Sequence, residues 1–160
     1  MITAERVREL LDYNPATGEF TWLKRTGRQG AGKPAATAKR LGYPVMGIDS
    51  KVYMASRIAW LWMTGSFPVR FIDHANGDPG DTRWTNLREA TDQQNNRNKA
   101  RQANNTSGFK GVSHQAGRWR ARIVQDRKPI SLGMYETPEE AHAAYCNAAA
   151  TLFGEFARFE

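Results

Sequence analysis

The chain has 160 residues, of which 40% are hydrophobic, and it carries a formal net charge of +7 at pH 7. This length suits one ordinary domain or two small ones, and the charge favours a polyanionic partner such as nucleic acid over a membrane. No stretch stays apolar over the roughly 18 residues that a membrane helix requires, and no secretion signal is visible, so we expect a cytoplasmic protein. The single cysteine, Cys146, excludes an intramolecular disulfide and a cysteine-based zinc site.

The N-terminal part is predicted to begin with a helix and a strand. Thr3 can cap a short helix that runs to about Asp12, with apolar residues at helical spacing. Residues 14–18 have strong turn chemistry, and residues 19–22 then alternate as a strand does. Residues 24–39 contain few large apolar side chains, three glycines and one proline, which predicts a long basic loop.

A hairpin and a second helix are predicted next. The apolar segments 43–48 and 52–55 flank a short polar stretch, as the two strands of a hairpin do. Ser56 is predicted to cap the following helix, and Gly65 to end it. We interpret this part of the chain as scaffold.

The central stretch carries the side chains of greatest chemical interest. An apolar run ends in Asp73 and His74, a glycine-rich loop follows, and residues 86–90 form a second predicted strand. A capping box that starts at Thr91 begins a helix, with Asn95 about one turn in. Neighbouring residues on a strand point to opposite faces, so the backbone must bend if Asp73 and His74 are to serve one site.

These three side chains suit the hydrolysis of a phosphodiester. A carboxylate such as Asp73 and an amide oxygen such as that of Asn95 are ligands for a hard divalent cation. Such a cation neutralises the phosphate and stabilises the leaving oxygen, while an imidazole can take the proton from the attacking water. The stretch therefore predicts a metal-dependent nuclease site.

The sequence around this site resembles the HNH endonuclease family, in the branch found in bacteriophages and intron-encoded nucleases. The residues that carry the resemblance are 10–18, 57–60, 64–65, 72–78, 81–83 and 86–91, together with Asn95. The resemblance implies a ββα-metal fold, in which Asp73 and Asn95 bind the metal ion and His74 is the general base. It also implies that Asn86 pins the long loop and so orients His74. The expected ion is Mg²⁺, with Mn²⁺ as the alternative, and no other cofactor is expected. Ser56 stands where many relatives have histidine.

A second pattern follows a predicted linker at residues 103–108, which lack large side chains. Residues 109–114, 119–124 and 130–135 are predicted strands separated by turns. A helix then begins near Thr137, with proline at its first position and acidic residues in its first turn. Three strands and one helix make a minimal domain.

This C-terminal part is strongly basic. Residues 97–128 contain nine Lys and Arg against one acid, Asp126, which is the electrostatic pattern of phosphate binding. Arg118, Arg120 and Arg122 share one face of their strand, so the sheet can present arginines to a major groove. A solvated strand face is the alternative interpretation.

The same part resembles the AP2 (ethylene-response-factor-like) DNA-binding domain. The residues that carry the resemblance are 108–112, 117–123, 132–135 and 137–145. It implies a three-stranded antiparallel sheet packed on one helix, whose DNA-facing strands contain Lys110, Ser113, Gln115, Arg118, Arg120 and Arg122. The plant members have a longer first loop with a tryptophan that is absent here, so their base specificity does not transfer.

The sequence thus predicts an α+β protein with two functional parts. Residues 1–102 form an HNH nuclease domain with an N-terminal scaffold, and residues 109–160 form an AP2-like domain. The expected activity is metal-dependent cleavage of duplex DNA. We expect the protein to come from a phage or mobile element, to act as a monomer or a homodimer, and to have no membrane partner. The alternative is a non-catalytic, sequence-specific DNA-binding regulator. The roles of four residues stay open, namely Ser56, Arg83, Arg88 and Arg97.

Overall fold

The computed structural model describes residues 2–25, 30–101 and 104–160. The chain divides into two compact units of mixed α and β structure, Met1–Ala90 and Thr91–Glu160. Part of the predicted basic loop (26–29) and of the predicted domain boundary (102–103) lies outside the described residues. The expected functional boundary at residues 103–108 stays a prediction, and the compact units themselves divide between residues 90 and 91.

The first unit opens with a shorter helix than the sequence predicted. Helix α1 spans Ala4–Leu10, and the Thr3 side chain caps it by accepting a hydrogen bond from the Arg6 amide. The expected extension to Asp12 is wrong, because Leu11–Tyr13 form strand β1, which pairs with β2 (Phe20–Trp22). The tight turn between the two strands favours their antiparallel pairing over another helical turn.

A three-stranded antiparallel sheet follows, and it confirms the predicted hairpin. Its strands are β3 (Ala38–Arg40), β4 (Tyr43–Ile48) and β5 (Lys51–Met54), with β4 in the centre. The turn between β4 and β5 places Asp49 and Ser50 at positive φ, as a two-residue hairpin turn requires. Strand β3 lies within the stretch predicted as a loop, whose apolar content is too low to show a strand pattern.

Helix α2 spans Ala55–Thr64 and ends, as predicted, with Gly65 in the left-handed conformation. Its N-cap is Met54, which makes no side-chain capping bond, so the predicted capping role of Ser56 is wrong. Ser56 is instead buried within the first turn of α2. The helix starts one residue after the hairpin ends, which leaves no room for Ser56 as the flanking residue.

The two central strands form a separate two-stranded sheet. Strand β6 (Phe71–His74) pairs antiparallel with β7 (Leu87–Ala90), and a 3₁₀ turn at Trp84–Asn86 precedes β7. The core of the unit contains side chains of α1, β1, β2, β4 and α2, together with Leu87 of β7. Ile72 of β6 packs against this core, so the apolar scaffold includes residues of both strands that frame the predicted site.

The turn at residues 14–18 also holds the loop between β6 and β7. The Tyr13 hydroxyl donates to the Thr82 carbonyl at 2.6 Å, and the Thr82 hydroxyl donates to the Gly18 carbonyl at 2.7 Å. The Trp84 amide donates to the Pro15 carbonyl at 2.9 Å. These bonds join segments more than 60 residues apart, so the N-terminal elements support the loop of the predicted site.

The second unit begins with a short helix, α3 (Asp92–Arg97). The predicted capping box is confirmed: the Thr91 hydroxyl accepts from the Gln94 amide, and the Gln94 side chain accepts from the Thr91 amide. These two reciprocal hydrogen bonds satisfy backbone N–H groups that have no partner within the helix at its first turn.

A three-stranded antiparallel sheet and a long helix complete this unit. The strands are β8 (Val112–Gln115), β9 (Arg118–Gln125) and β10 (Lys128–Tyr135), with β9 in the centre. Helix α4 (Pro138–Phe153) packs on the sheet, and a second capping box at Thr137 starts it. Its small residues Ala141 and Ala149 are fully buried, so the helix lies close to the sheet. In the described ranges, no helix has the length and apolar character needed to cross a membrane.

Replacing Gly18 with alanine is expected to destabilise the first unit. Gly18 has φ +78°, and a Cβ there would lie 2.6 Å from the Arg83 amide nitrogen. The left-handed backbone and the clash together predict a loss of about 2 to 4 kcal/mol in the free energy of unfolding, measured by urea denaturation.

Gly47 provides the matched control, because it lies in β4 with no atom within 4 Å of an added Cβ. We expect Gly47→Ala to change the unfolding free energy by less than about 0.5 kcal/mol. Equal losses in the two variants would contradict the proposed tight contact at Gly18.

Candidate active site and basic surface

Asp73 and His74 stand side by side at the end of β6. Only 4% of Asp73 and 6% of His74 is exposed to solvent. The register of the sheet sets Asp73 opposite Arg88 and His74 opposite Leu87. Since neighbouring residues on a strand face opposite ways, both faces of β6 are covered at this point.

An ion pair across the two strands holds the Asp73 carboxylate. Two atoms of the Arg88 guanidinium, Nε and Nη2, lie 2.9 and 2.8 Å from the same oxygen, Oδ2. The Arg88 side chain is 17% exposed, so the pair lies largely out of solvent. Charged hydrogen bonds of this length are stronger than neutral ones and fix the orientation of the carboxylate.

Asn86 ties together both ends of the loop between the strands. Its side-chain oxygen accepts from the Asn76 amide at 2.9 Å, and its side-chain nitrogen donates to the Asp81 carbonyl at 2.8 Å. Its backbone carbonyl accepts from the Ala75 amide at 2.9 Å, directly after His74. These are the bonds that a loop-pinning residue makes, and the effect of Asn86 on catalysis stays a prediction.

The environment of His74 favours the neutral imidazole. Burial lowers the pKa of His74 below its usual 6.5, although the negative charges of Asp73, Asp78 and Asp81 oppose this shift. A neutral imidazole has a ring nitrogen that can accept a proton. His74 is therefore in the protonation state that a general base needs at neutral pH.

The acidic loop is itself held by an arginine, Arg83. Its guanidinium contacts both carboxylate oxygens of Asp81 at 2.8 and 2.5 Å, and it lowers the pKa of Asp81 to about 2. Asp81 also accepts a bond from the Asn76 side chain at 2.8 Å. Arg83, whose role the sequence left open, thus keeps one loop acid ionised and in place.

The predicted second metal ligand, Asn95, lies on α3 in the second compact unit. It is half-buried, and its amide donates to the Thr91 carbonyl at 2.9 Å. Within the described part of the chain, no group of three or more His, Cys, Asp or Glu is arranged to hold a metal ion. Asn95 would bind through an amide oxygen and is not one of these four residue types. The joint role of Asp73 and Asn95 as metal ligands therefore stays a prediction.

The sheet of the second unit gathers most of the predicted DNA-facing residues on one face. The register sets Ser113 opposite Arg120 and Gln115 opposite Arg118. Residues directly opposite each other in a sheet project from the same face. On the other face, Ala121 and Ile123 are buried, and Trp119 packs against the apolar cluster there. Arg122 is exposed, whereas Arg120 is partly buried.

Lys110 does not lie on a strand, because β8 begins only at Val112. Its ammonium group donates to the carbonyls of Arg97 and Lys99 at 2.8 and 2.7 Å, near the end of α3. Burial, with a smaller effect of Arg158, lowers the pKa of Lys110 to about 8. The strand prediction for Lys110 is therefore wrong, since Gly111 at φ +76° makes a turn before the strand starts.

Sequence reasoning left the role of Arg88 open between a phosphate contact and an ion pair. The ion pair with Asp73 depends on the register of β6 against β7, and single-sequence patterns do not specify register across a loop of 12 residues. The sequence feature that could have indicated the pair is that Arg88 lies on the predicted strand that follows the one ending in Asp73.

Comparison with known proteins identifies the central stretch. Residues 53–97 match a family model described as HNH endonuclease. The chain is 32% identical over 117 residues to "Uncharacterized HNH endonuclease L560" of Acanthamoeba polyphaga mimivirus, which covers 72% of this chain and 61% of that protein. It is 31% identical over 104 residues to "Protein 3.8" of Escherichia phage T7, which covers 62% of this chain and 85% of that protein. The chain thus spans less than two thirds of the length of the mimivirus relative. No solved structure matches this chain.

Removing the Arg88 guanidinium is expected to destabilise the first unit. The Arg88→Met variant leaves the buried Asp73 carboxylate without its ion-pair partner, and such a change typically costs about 3 to 5 kcal/mol. Urea denaturation at neutral pH measures the loss.

Arg6 is the matched control, because its ion pair with Asp49 is roughly half exposed on both sides, at 41% and 51%. We expect Arg6→Met to cost much less than Arg88→Met, because solvent screens the charges of an exposed pair. A loss at Arg88 no greater than that at Arg6 would show that Asp73 does not depend on the pair.

Proposed function

This chain belongs to the HNH endonuclease family, and from that premise we propose that it cleaves duplex DNA by metal-dependent hydrolysis of phosphodiester bonds. The observation that carries the proposal is the pair of adjacent buried residues at the end of β6, an Asp73 carboxylate fixed by Arg88 and a His74 imidazole kept neutral by burial. The viral sources of both relatives support an origin in a phage or mobile element.

His74 is the general base in this proposal. Its neutral imidazole takes the proton from the attacking water at a ring nitrogen, and the negative charges of Asp73, Asp78 and Asp81 stabilise the imidazolium that forms. Asn86 holds the backbone just after His74, so that the imidazole keeps one orientation during the proton transfer. Burial of the pair excludes bulk water that would compete for the same proton.

The donor chemistry of this site fits a hard divalent cation. Asp73 supplies a carboxylate, whose orientation the Arg88 guanidinium fixes, and carboxylate oxygens are ligands for such a cation. We propose Asp73 and the Asn95 amide oxygen as the protein ligands of Mg²⁺, or alternatively Mn²⁺, in a ββα-metal fold. The bound ion would neutralise the phosphate and stabilise the leaving oxygen.

The second unit is proposed to deliver the duplex. Its sheet has the strand number, the antiparallel order and the packing on one helix that an AP2-like domain implies. Ser113, Gln115, Arg118 and Arg120 share one face, and a polar and cationic face suits the base edges and phosphates of a major groove. Exposed Arg122 extends this surface, and Lys110 contributes through its position beside the sheet.

Plasmid cleavage tests the function directly. We expect the protein with Mg²⁺ to nick or linearise plasmid DNA, and EDTA to abolish the reaction. The His74→Ala variant should lose activity by about 10²- to 10⁴-fold, which is the usual contribution of a general base. A melting curve of the variant separates loss of chemistry from loss of folding.

Asn95 and its neighbour Asn96 provide an internal comparison. Asn95→Ala should lower the cleavage rate and raise the Mg²⁺ concentration needed for half-maximal rate. Exposed Asn96→Ala should leave both quantities unchanged. Full activity of His74→Ala would remove the proposed base. DNA binding without metal, and without cleavage of any DNA by the unaltered chain, would favour the non-catalytic regulator.

The pH dependence of cleavage follows from the environment of His74. Its pKa lies below 6.5, so the neutral base is the dominant form at pH 7 and is lost only as the pH falls through that lowered pKa. We expect the rate to be nearly flat from pH 7 to 8 and to fall in acid, with a midpoint below 6.5. Initial rates at constant Mg²⁺ measure this, and a midpoint well above 6.5 would contradict the buried neutral imidazole.

A further inference from the structure

A concave cleft of about 780 Å³ lies within the second unit, beside the sheet. It is lined by α3, by residues 99–101 and 104–106, by the turn before β8 with the start of that strand, by the end of β9 with the turn into β10, and by Tyr145 and Phe153 of α4. Several parts of the second unit therefore meet around one concavity. Neither the family match nor the relatives assign a role to it.

The cleft is strongly cationic. Among the described residues that line it, two are acidic, Asp92 and Asp126, and six are basic: Arg97, Lys99, Arg101, Lys110, Arg122 and Arg127. Like charges repel one another in a confined space, so such an excess is costly unless an anion occupies it.

Two of the six basic side chains are engaged in building the walls. Lys110 donates to the carbonyls of Arg97 and Lys99, as described above. The Arg97 guanidinium lies 4.4 Å from the centre of the Phe153 ring and 3.9 Å from Asp126. The other four, Lys99, Arg101, Arg122 and Arg127, are exposed to solvent, and of these Arg101 donates one long hydrogen bond to the Asn105 carbonyl at 3.5 Å.

The position of the cleft relates it to the DNA-facing surface. The register pairs Val112 at the start of β8 with Ala121 of β9, so the last residues of β9 extend past β8. These residues border the cleft, and Arg122 belongs both to the cleft and to the arginine side of β9. The cleft therefore continues the basic face around the edge of the sheet.

The dimensions of a duplex indicate what meets that edge. Three strands spaced about 4.8 Å apart make a sheet about 10 Å wide, which nearly fills a major groove about 12 Å wide. The edges of such a sheet face the two sugar-phosphate ridges that border the groove. A ridge carries a row of negative charges, and a concave cationic cleft at the edge complements it.

We propose that this cleft binds the phosphodiester backbone of the DNA strand that flanks the groove. The proposal rests on the DNA-binding part of the proposed function and does not depend on its catalytic part. Lys99, Arg101, Arg122 and Arg127 contact phosphates there, while Lys110 and Arg97 hold the cleft in shape. The contacts are with the backbone, so they add affinity without base preference.

The salt dependence of DNA binding tests the proposal. The probe is a fluorescent 30-base-pair duplex of mixed sequence, titrated with the full chain at several KCl concentrations in EDTA to prevent cleavage. Each lost phosphate contact reduces the slope of log K against log salt by about 0.9. The double variant Lys99→Gln/Arg127→Gln should therefore lower the slope by about 1.8 and weaken binding about 10- to 60-fold near 0.1 M salt.

The matched control is Lys39→Gln/Arg40→Gln, which removes the same charge from two exposed residues of β3 in the first unit. We expect the control to keep the slope of the unaltered chain. An unchanged slope in the cleft variant, or an equal drop in the control, would overturn the proposal. Tighter binding of a 30-nucleotide single strand through the same two residues would overturn the assignment to duplex DNA.

A cleavage assay keeps this result separate from the proposed function. The His74→Ala variant should bind the duplex with an unchanged salt slope, because His74 lies outside the cleft. The cleft variant should lose cleavage in proportion to its weaker DNA binding when the protein is limiting. If the unaltered chain fails to cleave DNA, but its salt slope still exceeds that of the cleft variant, the result would count against the nuclease proposal alone.

Discussion

The candidate active site depends on one polar side chain, Asn86, which fastens a long loop back onto the strand that it leaves. Its amide group bonds to the loop at Asn76 and Asp81, and its own carbonyl receives the amide of Ala75. These bonds, together with the one from the Gly77 amide to the His74 carbonyl at 2.7 Å, fix the path of the backbone after His74. Because Asn86 is 7% exposed, solvent competes little for the same donors and acceptors.

The rest of the first unit supports this arrangement from both sides. The N-terminal turn holds the far end of the loop through Thr82, and the guanidinium of Arg88 fixes the Asp73 carboxylate across the sheet. A buried ion pair is a weak source of net stability, because desolvation offsets most of its attraction. Its value here is orientation, since two contacts from one guanidinium to one oxygen leave the carboxylate little freedom to rotate.

The second unit separates two tasks that basic residues often share. Lys110 and Arg97 make contacts within the fold. The Lys110 ammonium donates to two backbone carbonyls, and the Arg97 guanidinium lies over the Phe153 ring. The exposed arginines and Lys99 are the ones that we propose to bind a polyanion. A strongly basic sequence segment therefore contains both structural and ligand-facing charges, and composition alone does not tell them apart.

Local chemistry in the sequence determined much of this protein: the hairpin at Asp49–Ser50, the two capping boxes, the end of α2 at Gly65, and the alternation along β9. It also singled out Asp73 and His74 at the end of a strand and, through the resemblance to a nuclease family, Asn86 as the residue that pins the loop, while the predicted convergence with Asn95 stays a prediction. Only tertiary structure decided that Leu11–Tyr13 is a strand, that Ser56 is buried, that Lys110 bonds to α3, and that Arg88 pairs with Asp73. The physical reason is that caps and turns are satisfied within a few residues, whereas strand partners, register and buried ion pairs depend on groups that are distant in the chain.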